Sequence, residues 1–197
     1  MNDDIKSARE IALEKAAKLG EATPEERLRW QYVPEGERLG VKYLNEDINL
    51  IVDLQRYPEN VRQYINEGAE DILIRNINLP KDDGARKSAR RTMDGLKILK
   101  RDKAALENVY SKLRRIFNHY AQQGQQQKQE AYETLKVQFA AKLQKAIKQQ
   151  TGTTAGYKID VERQPQFQEE WRRVQAQLDL QYIKLLDEYK LELKAIP

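Results

Sequence analysis

The sequence contains no cysteine and a single histidine, His119. The missing thiols exclude disulfide frameworks, cysteine-ligated zinc, iron–sulfur clusters and thiol catalysis. One imidazole excludes most histidine-based metal sites and leaves a single candidate for an imidazole general base. Long apolar runs are missing as well. They reach only Leu50-Ile51-Val52 and Ile72-Leu73-Ile74, against roughly 20 residues needed to cross a bilayer. The first twenty residues interleave charges with short apolar groups and hold no stretch of about 7–15 apolar residues, unlike a secretory signal. These absences lead us to expect a cytoplasmic chain with no membrane association.

What is present is helical patterning. The 9 glycines and 6 prolines of the 197 residues fall mostly between periodic segments, so they punctuate the chain. A first helix is expected over 3–19, stopped by Gly20. Thr23-Pro24-Glu25-Glu26 is a complete start signal: a capping hydroxyl, a proline where no donor is needed, and a capping-box glutamate. The helix that follows is expected to be short, ending at Val33-Pro34. A third, over 37–57, would bury Val41, Leu44, Ile48, Ile51 and Val52 on one face. A fourth starts at Pro58 and carries Val61, Ile65, Gly68 and Ile72. The glycine in that stripe predicts a second backbone packed close to it.

After the linker Lys81-Asp82-Asp83-Gly84 the helices lengthen. One is expected over 85–120, with Ile98, Leu99, Leu106, Val109, Leu113, Ile116, Phe117 and Tyr120 inward. Met93 and Leu96 are out of phase with that face, which places a bend or fresh start near Gly95. The glutamine-rich tract 122–129 reads as a loop or a helical bridge. Segments 125–150 and 166–195 then form two arms of an antiparallel, coiled-coil-like hairpin. Between them, 151–156 reads as a loop, and Tyr157, Ile159 and Val161 as a brief extended stretch. The fold class is therefore all-α, with an acidic short-helix block (1–80) and a long-helix bundle (85–197) that together form one domain or two.

Charge is unevenly distributed. Residues 1–80 hold 11 basic and 16 acidic groups, 81–115 hold 12 and 5, and 116–197 hold 12 and 10. A net of −5 is thus followed by +7 and +2, which the total of +4 conceals. On a wheel for one continuous helix, Arg86, Arg90, Lys97, Arg101, Lys112 and Arg115 fall within about 80° of one another. Such a stripe suits nucleic-acid phosphates; otherwise it is a solvated face, or one paired with the acidic first eighty residues within the fold or in a neighbouring subunit.

The final helix carries a second signal. Leu180, Ile183 and Leu191 lie opposite the Trp171–Leu178–Leu185 stripe. Either this helix is touched on two sides within a bundle, or those residues form a subunit contact.

Catalytic groupings are weak. His119 has no glutamate three residues before it and no second histidine, as a di-iron bundle would need. It reads as a capping or surface residue near a helix end. Asp82-Asp83 and Glu46-Asp47 point apart on a helix or lie in a linker, which leaves a carboxylate–metal enzyme as a third reading. Gly84-Ala85-Arg86-Lys87-Ser88 lacks the glycine spacing and the preceding strand of a phosphate loop. We assign no catalytic residue, metal or cofactor. The expected function is a non-catalytic assembly or protein-interaction module that self-associates. The alternative is a nucleic-acid-binding accessory protein.

The opening Ile5-Lys-Ser-Ala-Arg-Glu-Ile-Ala-Leu-Glu-Lys, with the segment from Gly20 to Trp30 and Val33-Pro-Glu-Gly-Glu, resembles the start of small uncharacterised bacterial helical proteins. The resemblance covers about the first fifty residues and implies no activity.

Overall fold

The computed structural model describes residues 22–151 and 160–197, and all regular elements among them are helical. The protein is all-α. The helix expected over 3–19 lies outside the described residues. So do the 151–156 loop, beyond Thr151 at a helix end, and the extended stretch at 157 and 159. The chain divides into two compact units, Met1–Ile72 and Leu73–Pro197.

The first unit is built on α1 (Pro24–Asn45), α2 (Leu50–Gln55) and the start of α3 (Arg62–Arg75), which a 3-10 turn at Glu59–Val61 precedes. Thr23 caps α1 as the sequence predicts: its hydroxyl accepts from Glu26 N, and the Glu26 carboxylate accepts from Thr23 N. The helix does not stop at Pro34 but runs eleven residues further. A proline there removes the bond to the carbonyl of Trp30, and the helix continues through it with Trp30 on an exposed face. Beyond Pro34, Gly36 and Gly68 bring α1 and α3 together. A Cβ on Gly68 would lie 2.1 Å from the Val33 carbonyl oxygen, and one on Gly36 2.1 Å from that of Ile65.

The single helix expected over 37–57 is two helices. It breaks after Asn45, and Asn49 caps α2 by accepting from Ile51 N and Val52 N. The break resets the phase of the stripe. Leu39, Tyr43, Leu50 and Asp53 are buried, while Val41, Ile51 and Val52 are exposed.

The second unit carries the long helices: α4 (Asp83–Leu99), α5 (Lys103–His119), a π turn at Tyr120–Gly124, α6 (Gln125–Thr151) and α7 (Pro165–Ala195). The expected helix over 85–120 is interrupted, at Lys100–Asp102 rather than at Gly95. Asp82 caps α4 through Ala85 N, and Asp102 caps α5 through Ala105 N. With two helices there are two inward faces, so Met93 and Leu96 are buried on that of α4 together with Ala89, Thr92 and Leu99. The glutamine tract is the helical bridge: α5, the π turn and α6 follow one another without an intervening loop.

This rod runs antiparallel to α7. Lys112 pairs with Glu192, His119 meets Tyr182, and Lys128 meets Asp179. Further along, the Tyr132 ring packs edge-on against Trp171 and Phe167, and Phe139 against Phe167. The core sits where α4, α5 and α7 contribute Leu96, Leu106, Tyr110, Leu113, Leu186 and Leu193. The segment after α3 belongs to this unit, because Lys190 donates to the Arg75 carbonyl and Lys81 pairs with Asp179.

Candidate functional site

The six residues of the predicted basic stripe do not form one track. Because the helix breaks at Lys100, Arg86, Arg90 and Lys97 stand on α4 and Lys112 and Arg115 on α5, with Arg101 between them. Arg86, Arg90 and Lys97 line a groove of about 580 Å³ between α4 and α5. Arg114 joins them from α5, along with Met93, Tyr110, Phe117 and Asn118. Tyr110 fixes the spacing of the two helices, its hydroxyl donating to the Met93 carbonyl at 2.6 Å. Lys112 and Arg115 instead line a separate cavity of about 320 Å³ with His119, Tyr182, Leu185 and Tyr189.

Within the α4–α5 groove the cations differ in how far they are neutralised. Glu107 accepts from Arg114 at 2.5 Å and lies 3.5 Å from Lys97. The Arg114 hydrogen bond holds the Glu107 carboxyl below its ordinary value against a small opposing effect of burial, and the charges of Arg114 and Lys97 add to it. Arg86 has only a 3.7 Å contact with the exposed Asp83. Arg90 has no partner among the described residues.

A second constellation surrounds the π turn. Gly124 leaves room there for two rings: a Cβ would sit 3.1 Å from Tyr120 Cδ2 and 3.2 Å from the Tyr182 hydroxyl. Those rings pack edge-on, and the Tyr182 hydroxyl lies 3.0 Å from His119 Nδ1. Burial raises the Tyr182 hydroxyl, the neighbouring Tyr120 adding to the effect. Next to it Lys128 donates to the Tyr120 hydroxyl at 2.7 Å and contacts Asp179 at 2.7 Å. Burial pushes the Asp179 carboxyl up, but bonds from Lys128, Tyr120 and Lys81 outweigh it and leave the group below its ordinary value. Burial pulls Lys128 down, and Asp179 with Tyr120 reverses that, so the ammonium is held above its ordinary value. The arrangement joins α5, α6 and α7 with a charge-paired network and keeps Lys128 protonated, which suits positioning rather than nucleophilic attack.

The third surface is the outer side of α7. Its buried residues are Phe167, Asp179, Tyr182, Leu186 and Leu193; of the Trp171–Leu178–Leu185 stripe, Trp171 packs on Tyr132 and Leu178 is half-buried, while Leu185 is 42% exposed. The predicted trio Leu180, Ile183 and Leu191 is 48, 40 and 67% exposed. They stand open to solvent on the helix. Lys184 and Asp187 stand on the same face; Lys184 has no partner among the described residues, and the Asp187 carboxylate acts electrostatically on Lys190. They were not singled out in the sequence, where charges on an outward face carry no signal of their own.

Among the described residues no three histidine, aspartate or glutamate side chains are grouped to hold a metal ion, and no helix is long and apolar enough to cross a membrane. Fold and surfaces together define an all-α protein of long antiparallel helices with solvent-facing apolar and cationic patches. The chain belongs to a family of unknown function (DUF6657), which it matches over residues 52–195. An uncharacterised family is what the N-terminal resemblance implied, although the matched region begins after that segment. No curated protein and no solved structure matches the chain.

Proposed function

We propose that the protein is a non-catalytic assembly module that pairs with a second copy of itself through the outer face of α7. One observation carries this reading: the exposed residues of that face are self-complementary when two copies run antiparallel. Leu180, Lys184, Asp187 and Leu191 follow the four–three–four spacing of a coiled-coil seam. At the regular helical pitch they and Ile183 span an arc of about 100°.

Leu180 and Leu191 stand equally far on either side of the midpoint between Leu185 and Leu186, and so do Lys184 and Asp187. A two-fold axis at that midpoint sets Leu180 against the copy's Leu191 and Lys184 against its Asp187. This is an isologous contact of the kind that closes into a dimer. A parallel, in-register pair would instead place Lys184 on Lys184 and Asp187 on Asp187. The inner charged layer thus selects orientation, and the outer leucines supply the apolar burial. The seam is short, so the dimer is expected to be weak and concentration-dependent.

Sedimentation velocity over a wide concentration range tests the proposal. Wild-type protein is expected to shift from monomer to dimer. The variant Leu180→Lys with Ile183→Lys should stay monomeric with unchanged helical circular dichroism, since both positions are exposed. A wild-type monomer at every concentration, or a variant that dimerises equally well, would refute the proposal.

A further inference from the structure

We infer that the groove between α4 and α5 is a binding site for a phosphate ester with a planar, apolar body, the chemistry of a nucleotide. Its volume of about 580 Å³ falls within the range of roughly 300–1,000 Å³ usual for small-ligand sites. Four cations and one carboxylate, Asp94, line it.

The two ends of the groove are chemically different. At the Lys97 end, Glu107 engages both Lys97 and Arg114. At the other end, Arg86 and Arg90 stand one helical turn apart, the first with a single long contact to an exposed carboxylate and the second with none among the described residues. Two guanidinium groups at this spacing present forked N–H donors that match phosphoryl oxygens.

The apolar part of the ligand has its own surface. Phe117 lines the groove from α5 toward its arginine end, and Met93 lines it from α4 at the level of Tyr110. Phe117 offers a ring face on which a planar group stacks. Asn118, one position on, carries both a donor and an acceptor for the polar edge of such a group. Inorganic phosphate would use the arginines alone, and an aromatic body without phosphate would use Phe117 and Met93 alone. The site therefore favours a ligand carrying both. It is independent of the outer face of α7, none of whose residues line it.

Calorimetric titration of the full chain with adenosine diphosphate, inorganic pyrophosphate and adenosine tests this, with a single-stranded oligonucleotide as a fourth arm. Adenosine diphosphate is expected to bind more tightly than pyrophosphate, adenosine not at all, and the affinity to fall as salt rises. Arg86→Glu with Arg90→Glu should weaken binding by about tenfold or more per guanidinium removed. If that double reversal lowers helicity, Arg90→Gln alone carries the test, because Arg90 makes no hydrogen bond or ion pair among the described residues. Absence of binding by adenosine diphosphate would overturn the assignment, as would binding indifferent to both variants. Tight binding of the oligonucleotide that adenosine diphosphate does not displace would also overturn it, in favour of a polymeric ligand.

Discussion

Lys128 and Asp179 form an ion pair 2.7 Å long whose side chains are only 12 and 6% exposed, joining α6 to α7. Charges removed from water to this extent are stable only as a set. Asp179→Ala leaves the Lys128 ammonium buried without its carboxylate, and the expected loss is about 3–5 kcal/mol. Lys128→Met added to that variant should recover part of the loss, because the uncompensated charge is then gone. Urea unfolding of wild type, Asp179→Ala, Lys128→Met and the double variant closes the double-mutant cycle and measures the coupling.

The same pair sets a pH window. Asp179 is lowered in the folded chain, so its contribution is fully present above the unfolded carboxyl value of about 3.9 and is lost as pH falls through the lower folded value. Lys128 is raised, so its contribution is present below about 10.4 and is lost as pH climbs through the higher folded value. Denaturation midpoints are thus expected to hold level between these limits and to fall outside both. In Asp179→Ala, the acid limb should flatten.

The meeting of Gly68 with the Val33 carbonyl tolerates no side chain. Gly68→Ala places a methyl 2.1 Å from that oxygen and 2.8 Å from Glu37 N, both main-chain atoms that cannot rotate away. The helix propensity gained, about 1 kcal/mol, is small beside the separation of α1 from α3 that results. A net loss of about 3 kcal/mol or more is expected, read as a lowered thermal midpoint.

Exchanging charges on α7 separates the antiparallel seam from a nonspecific apolar contact. Lys184→Asp alone sets carboxylates against each other and should weaken the dimer, as should Asp187→Lys with its paired ammonium groups. Carrying both substitutions restores the pairing in reversed sense, and dimer affinity should return. Sedimentation equilibrium of the three variants reads the pattern. Additive weakening in the double variant would count against the seam.

Tyr110→Phe removes a buried hydroxyl that donates to Met93 across the α4–α5 pair. The expected loss is about 1 kcal/mol in urea unfolding. Ligand affinity in the groove should weaken with it, since the helix spacing there is no longer fixed.

The helical class, the cap at Thr23 and the close approach at Gly68 were legible because each rests on a local pattern or on a residue with one structural use. The breaks were not. Pro34 lies inside a helix whose continuation packs Gly36 on Ile65, a tertiary contact that a local reading of the proline does not display. The interruption at Lys100 was hidden by Asp102, which reads equally well as a surface charge or as a cap, and that error joined two cationic faces into one stripe. Arg114 was excluded from the stripe by the same wheel, yet it lines the groove. The exposed trio on α7 was visible as surplus leucine and isoleucine. Its partners Lys184 and Asp187 gain meaning only from the symmetry of a second copy.

The π turn at Tyr120–Gly124 has a consequence for the whole rod. Tyr120, Gly124, Lys128 and Tyr132 face α7 in successive steps of four, and in a regular α-helix each such step drifts by about 40°. One wide turn takes up that drift locally, much as an expansion joint does in a rigid rail. The helix on either side can then obey different packing rules, deep in a core before the turn and half exposed after it. Closing the turn to α geometry without shortening the chain would rotate everything beyond it and carry Lys128 away from Asp179, whereas deleting one residue within the turn would let a regular helix keep that pairing.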